Sequence, residues 1–407
     1  MIYLPSDKAF ITVYNQIRLL KSRGLQINNI TSAKGHLLEK NYFDLINGHE
    51  TLLLTDPKHP PKKYIKKSFE NFLKLHDFDR QFSSLILKKI SEFETKLKTS
   101  IAYHFCESHC STLAENNNYI DLSFYNVPGV TDGPKQYVNY FYNPNNQERT
   151  HKLFRTNYKY KGRFRGAFNG IVTYQHSKTI LEGTFTGRFG SSSIREVKSG
   201  RCVFNNSSQT ALLAALHSVS TTSGTLTFNI NIQRDETIQG LTYIDDCKLK
   251  YPYINEYNNP PFWVVIKTLM FNDIIILMYG LKKRTLDAVL RDFNMKPYEK
   301  DKFLNSLEII KELRNCCAHF ELVNRFRTSQ NLKINSHLIS DLHLSPMRSK
   351  YVIKLFDVLK VLRSYTDLLE IKVFLHNFWT DEFKYGNGEI AVALFDRMGN
   401  SNINDWV

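Results

Sequence analysis

The sequence predicts a mainly α protein interrupted by one glycine-rich, strand-containing basic insertion. Three observations lead there. Apolar residues recur at spacings of three and four over long stretches on both sides of the chain's middle, the mark of helices with one buried stripe. Nine of the 18 glycines fall between 150 and 248, where Thr, Ser, Phe, Tyr and Ile alternate. The composition is 42% hydrophobic and 23% charged over 407 residues, which suits a globular chain with a large core and excludes a fibrous or wholly disordered one.

Taken in order, the first zone, 1–150, reads as helical. Phe78, Phe82, Ile86, Ile90, Phe93, Leu97, Ile101 and Phe105 form one stripe, and Lys88, Lys89, Lys96 and Lys98 lie off it. This spacing predicts a long helix near 78–106. Lys58-His59-Pro60-Pro61-Lys62-Lys63 reads as a loop before it. The second zone, 151–250, favours short strands and turns, or a poorly ordered insertion. In the third, 251–380, Pro260-Pro261 can open a helix over 262–279. A short helix follows at 284–294. Leu304, Leu307, Ile310, Leu313, Cys317 and Phe320 predict another, and Val352, Leu355, Leu359, Leu362 and Leu369 a further one. The tail, 381–407, holds Gly386, Gly388 and Gly399 and reads as irregular.

The formal net charge is +15. Within 151–203 there are 11 Lys/Arg against 2 Asp/Glu, so one short window carries more than half of that excess. No run of about 18 uninterrupted apolar residues is present, which argues against a transmembrane helix. The stretch nearest to it, 262–279, contains Lys267, Asn272 and Asp273. MIYLPSDKAF lacks the features of a signal peptide, and six scattered cysteines read as free thiols in a reducing compartment. A cytoplasmic protein without membrane contact is the expectation. His104, Cys106, His109 and Cys110 crowd one segment, but no second ligand pair at finger spacing follows. Asp245-Asp246 and Asp77/Asp79 could hold magnesium, but such pairs are usually surface charge or helix caps. No Walker-type loop or dinucleotide fingerprint occurs. Neither a metal nor a cofactor is expected. Trp263 and Trp379 read as core or interface anchors.

The most informative segment is Leu313-Arg314-Asn315-Cys316-Cys317-Ala318-His319-Phe320, followed by Asn324-Arg325. On a helix Asn315 and His319 share a face, with Arg314 beside it. Arginine offers a fixed fork of donors to a phosphate, and histidine moves protons near neutral pH. Such a set can cleave RNA without metal. The RNA's own 2′-hydroxyl attacks, His319 assists proton transfer and Arg314 offsets the developing charge. The spacing alone is also met by chance in helices. In that ordinary case Arg314 pairs with a carboxylate such as Glu312 and His319 is capped or half-buried.

Residues 313–325, LRNCCAHFELVNR, resemble the Arg-x4-His motif of HEPN ribonucleases in the form carried by the AbiD/AbiF (Abi_2) abortive-infection family. Ile30–Leu38 with Asn41-Tyr-Phe and Ile46-Asn-Gly48 is similar to that family's N-terminal helix and its Tyr/Asn-Gly turn. Phe78-Asp79-Arg80 through Phe105 resembles its central helix, and Pro260-Pro261-Phe262-Trp263 its Pro-x-Trp helix start. The resemblance covers roughly 5–150 and 250–380. It implies a HEPN-like helical bundle built from about 262 to 376 and packed on the helix near 78–106. It also implies a place in bacterial anti-phage or toxin–antitoxin systems, with RNA as substrate or partner. Such ribonucleases work as dimers with a composite site, and one motif per chain implies a homodimer. Carried over by residue, Arg314 holds phosphate, Asn315 orients and His319 transfers protons. Asn324 and Arg325 match the family's downstream Asn-Arg, as support or RNA contacts.

The basic insertion departs from typical relatives, so its fold is not carried over. Arg155, Tyr158, Lys159, Tyr160, Lys161, Arg163, Phe164 and Arg165 interleave cations with rings. Cations neutralise phosphates and rings stack on unpaired bases, so Arg155, Lys159, Lys161, Arg163 and Arg165 read as an RNA surface. Two functions from different classes follow. One is a metal-independent endoribonuclease. The other is an RNA-binding scaffold that holds a structured small RNA, its nuclease activity absent or latent.

Overall fold

The computed structural model describes residues 10–175, 182–187, 201–203, 223–347 and 352–407, and between 160 and 239 it describes the backbone. The chain is mainly helical. Its main α-helices are α1 (Val13–Ser22), α2 (Ile30–Glu39), α3 (Phe69–His109), α4 (Tyr243–Lys250), α5 (Phe271–Gly280), α6 (Lys283–Asp292), α7 (Lys300–Ala318), α8 (Leu355–Arg363), α9 (Leu369–Lys384) and α10 (Gly388–Met398). Two compact units divide the chain. One takes residues 1–100 and 286–407, the other 101–285.

The first unit is built on the stripe along α3. From Phe78 to Leu97 every residue of that stripe is at least 97% buried. Phe78 stacks on Phe374 of α9 at 5.3 Å, and Phe93 meets Phe293 and Tyr365 at 5.5 Å. Helix α7 buries Phe303, Leu304, Leu307, Ile310, Leu313 and Cys317, the three-and-four spacing read in the sequence. Tyr365 donates its hydroxyl to Ser306 at 2.9 Å, so these two buried hydroxyls partner each other.

Three element boundaries differ from the sequence expectation. Residues 262–279 are not one helix: a short turn ends at Thr268, and α5 starts anew because the Asp273 carboxylate accepts from the Met270 amide at 2.8 Å. The helix expected to run from Val352 to Leu369 stops at Arg363. A new one begins where Asp367 accepts from the Leu369 amide at 3.0 Å. The tail expected to be irregular contains α10, which buries Ile390, Ala391, Leu394, Phe395 and Met398. Its glycines bracket helices. Gly386 (φ 77°) follows the end of α9 and Gly399 (φ 132°) the end of α10. Trp406 then closes that end, fully buried against Phe356 and Phe395. Trp379 meets Phe395, whereas Trp263 is 55% exposed and so is not a core residue.

The second unit has an aromatic interior. Tyr119 stacks on Phe262 at 4.7 Å, and Phe105 stacks on Tyr125. Gly280 is required by packing, since a Cβ there would lie 2.1 Å from the Phe141 ring. Four antiparallel strands follow: β1 (Tyr158–Gln175), β2 (Glu182–Gly187), β3 (Arg201–Val203) and β4 (Ser223–Leu241), in the order β3-β2-β1-β4. Short strands were the expectation. Instead β1 and β4 pair along nearly their whole length, from Tyr158–Leu241 to Gln175–Ser223.

Two histidines inside these units make the fold sensitive to acid. His49 is fully buried with neither ring nitrogen hydrogen-bonded, and burial, then the Arg397 charge, lowers its pKa to about 3. Burial lowers His151 to about 4. Both stay neutral when folded, while the unfolded chain protonates them near the ordinary 6.5. Their stabilising effect is therefore complete above that pH and is lost as pH falls below it, by about 1.4 kcal/mol per pH unit for each group. Urea midpoints should drop between pH 7.5 and pH 5, and His49→Leu should make that drop shallower.

Candidate functional site

Helix α7 ends at Ala318, and His319 caps it. Two backbone bonds close the end: Phe320 N–H donates to the Cys317 carbonyl at 3.2 Å and Glu321 N–H to that of Cys316 at 3.0 Å. This pairing needs a left-handed residue at position 320. Glycine usually supplies it, but here Phe320 does, at φ 57°, a conformation that costs a non-glycine residue about 1–2 kcal/mol. Arg80 of α3 bonds to the Phe320 carbonyl, and its guanidinium lies 5.7 Å from the Phe320 ring centre. That clamp holds the unusual turn in place.

The motif side chains face outward. Asn315 and His319 are exposed and Arg314 is half-buried, while their neighbours Leu313, Cys316 and Cys317 point into the core. Arg314 reaches Asn315 Oδ1 at 3.5 Å, the limit of a hydrogen bond. Among the described residues it forms no ion pair, and the His319 ring has no hydrogen-bonding partner. Glu312 does not pair with Arg314; it accepts from the Ser329 amide at 2.7 Å. Burial pushes the Cys316 and Cys317 thiols up to about 12, so neither is a thiolate near neutral pH.

Beyond the turn, the chain is fixed by a residue the sequence reading did not assign. Asp79 of α3 is fully buried. It accepts from the Val323 amide at 3.1 Å, the Asn324 amide at 2.8 Å and the Asn324 side chain at 2.6 Å. Burial raises its pKa, and these donors oppose the rise. Its oxygens serve the protein, and Asp77 of the same pair is exposed. Asn324 passes the link on, accepting from Arg397 at 3.1 Å. Arg397 also donates to the Gly48 carbonyl at 3.1 Å and to Thr51, and Arg325 donates to the Asn47 carbonyl at 2.7 Å. The Asn47-Gly48 turn must come close, and a Cβ on Gly48 would lie 2.4 Å from Leu322. Of the two roles open to Asn324, full burial leaves support; Arg325 remains exposed. A polar residue on the buried face of α3, flanked by Phe78 and Phe82, was the signal for Asp79.

The basic residues of 155–165 expected to contact RNA belong to the second unit, whereas Arg325 belongs to the first. Lys159 is exposed. Arg155 is half-buried and holds its own loop, donating to the carbonyls of Thr150 at 2.6 Å and Glu148 at 2.9 Å. Lys161, Arg163 and Arg165 lie in β1, where the backbone register pairs them with Thr237, Asp235 and Gln233; their side chains lie outside the described ones.

The Abi-like protein family model matches residues 35–179 and 205–323, well over half of the chain. The chain belongs to the Abi-like protein family. No curated protein and no solved structure matches it. The matched segments of this Abi-like chain hold Asn47-Gly48, Asp79, Arg314, Asn315 and His319. They differ in extent from the resemblance read in the sequence. The match runs into the glycine-rich zone through all of β1 and all of β4, and it stops at 323, short of Asn324 and Arg325. Membership points to abortive infection. No helix among the described residues is long and apolar enough to cross a membrane.

The Asp79 network generates a stability prediction. Asp79→Ala leaves two buried amides and the Asn324 side chain without their acceptor, and should cost about 3–5 kcal/mol. Asp77→Ala, at an exposed position, should stay within about 0.5 kcal/mol. Urea denaturation of the two variants side by side measures the difference.

Proposed function

We propose that this Abi-like protein is a metal-independent endoribonuclease of the HEPN type, acting on RNA in the cytoplasm during abortive infection. The observation that carries the reading is the outward presentation of Arg314, Asn315 and His319 at one helix end, with no carboxylate among the described residues engaging the arginine. His319 is exposed and Arg314 half-buried, and neither has an ion-pair partner among the described residues. In the proposed reaction the 2′-oxygen attacks the adjacent phosphorus, a bond forms to phosphorus and the bond to the 5′-oxygen breaks. His319 takes or gives the proton, Arg314 offsets charge on the phosphoryl oxygens, and Asn315 fixes the arginine. A second copy of the chain supplies the complementary histidine, and the cation-rich segment 155–165 holds the RNA strand.

Cleavage should survive EDTA and leave a 2′,3′-cyclic phosphate and a 5′-hydroxyl. A substrate with 2′-deoxy at the cut position should resist. His319→Ala should slow the rate by about 10²–10⁴ with little loss of RNA affinity, and Arg314→Ala by a similar factor. Tight binding of one RNA with no cleavage of any would instead favour the scaffold role.

RNA affinity should also fall steeply with added salt, because each neutralised phosphate releases counterions. Replacing Lys159, Lys161, Arg163 and Arg165 together by Ala should flatten the slope of log affinity against log salt. An unchanged slope would move the RNA surface elsewhere.

A further inference from the structure

Beside the motif lies an open groove of about 590 Å³, a size typical of small-ligand sites. Asn315 is part of its wall, so it adjoins the face that presents His319 one turn on. The exposed Phe43 ring, Leu322 and the buried Phe326 supply apolar surface. The arginines along it are fixed by backbone carbonyls, which hold them without cancelling their charge. Arg325 is tied to the Asn47 carbonyl, and Arg327 to those of Phe326 and Arg397. Asp44 faces Arg80 at 3.4 Å, and Glu312 accepts from Ser329. Glu321 differs. It is exposed, lines the groove, and its carboxylate has no hydrogen bond or ion pair among the described residues.

A groove that sets an exposed ring and an unengaged carboxylate against apolar wall suits a base. The ring offers stacking, and the carboxylate only accepts. Guanine alone among the four bases sets two donors, N1–H and the 2-amino group, side by side on its Watson–Crick edge, where one carboxylate can take both. Uracil offers one such donor, and adenine and cytosine one amino group each.

We propose that this groove is a guanine-recognition subsite, with Phe43 as the stacking ring and Glu321 as the residue that reads the base. The inference rests on RNA as the ligand of the motif, and the guanine belongs to a nucleotide next to the phosphate held by Arg314.

The test uses labelled 2′-O-methyl RNA hexamers, which resist attack by a 2′-hydroxyl, each with one guanine, inosine or adenine in a uridine background. Anisotropy titrations on the full chain should show guanine bound about 10–100-fold more tightly than inosine, which lacks the 2-amino group, the usual worth of a hydrogen bond to a charged group. Adenine should bind as weakly as inosine. Glu321→Gln, a change at an exposed position, should bring the three within about twofold. Equal affinities in the natural chain, a preference that survives Glu321→Gln, or no binding of any hexamer would overturn the proposal. Cleavage assays on unmodified RNA separate the two readings. Guanine-selective binding without cleavage removes the nuclease and keeps the subsite. EDTA-resistant cleavage with no selectivity for guanine does the reverse.

Discussion

A carboxylate buried in an apolar helix stripe governs the geometry of the motif. Removing Asp79 from water is unfavourable unless donors replace the lost hydration. The three donors come from Val323 and Asn324, four and five residues past His319. Satisfying Asp79 therefore dictates where the chain goes after α7, and with it how α7 must end. The demand propagates: Asn324, oriented by Asp79, accepts from Arg397 of α10, and Arg397 holds the Asn47-Gly48 turn. Four segments distant in sequence converge on one anion. The arrangement gathers more cations than it neutralises. Burial, then Arg325 and Arg327, bring Arg397 down to about 10, and His49 is kept neutral beside it.

The end of α7 shows the same constraint from the other side. A glycine at 320 would remove the cost of a left-handed residue. It would also remove the ring beside Arg80. With Phe320 in place, Arg80 fixes the turn through both ring and carbonyl, one residue after His319. The histidine thus sits at a rigid helix end although its own ring is unpartnered. Rigidity supplied by neighbours, with the reactive group left free, is the arrangement a proton-transferring residue needs.

Much of this was legible in the sequence. The stripe on α3 and the spacing on α7 announced the helices, because burial of one face leaves a period of three to four. The outward face of Asn315 and His319 followed from the same period. Helix breaks were harder to see. Asp273 and Asp367 look like ordinary helical acids until their carboxylates are seen accepting from amides at new helix starts, and the C-terminal glycines read as an irregular tail where they mark helix ends. Asp79 was legible as a polar residue on the buried face of α3, but its partners were not. Pattern could not tell that it meets an amide 244 residues away, since a long-range hydrogen bond leaves no period in the chain. The groove was hidden for the same reason: Phe43 and Glu321 are brought together by folding alone.

The freedom of His319 bears on how the proposed reaction balances. Breaking the bond to the 5′-oxygen after attack by the 2′-oxygen needs a proton removed from one oxygen and a proton given to another. The attacking and leaving oxygens lie on opposite sides of the phosphorus, so one imidazole cannot touch both at once. Among the described residues of one chain the histidine has no carboxylate to set its tautomer and no second histidine on the motif face, and His49 is sealed from solvent. The groups an in-line reaction lacks are those that a second copy of the same helix end would bring. An exposed and incomplete site for the proposed proton transfer is what one half of a shared site looks like, and that is why the proposed nuclease is read as a pair of chains.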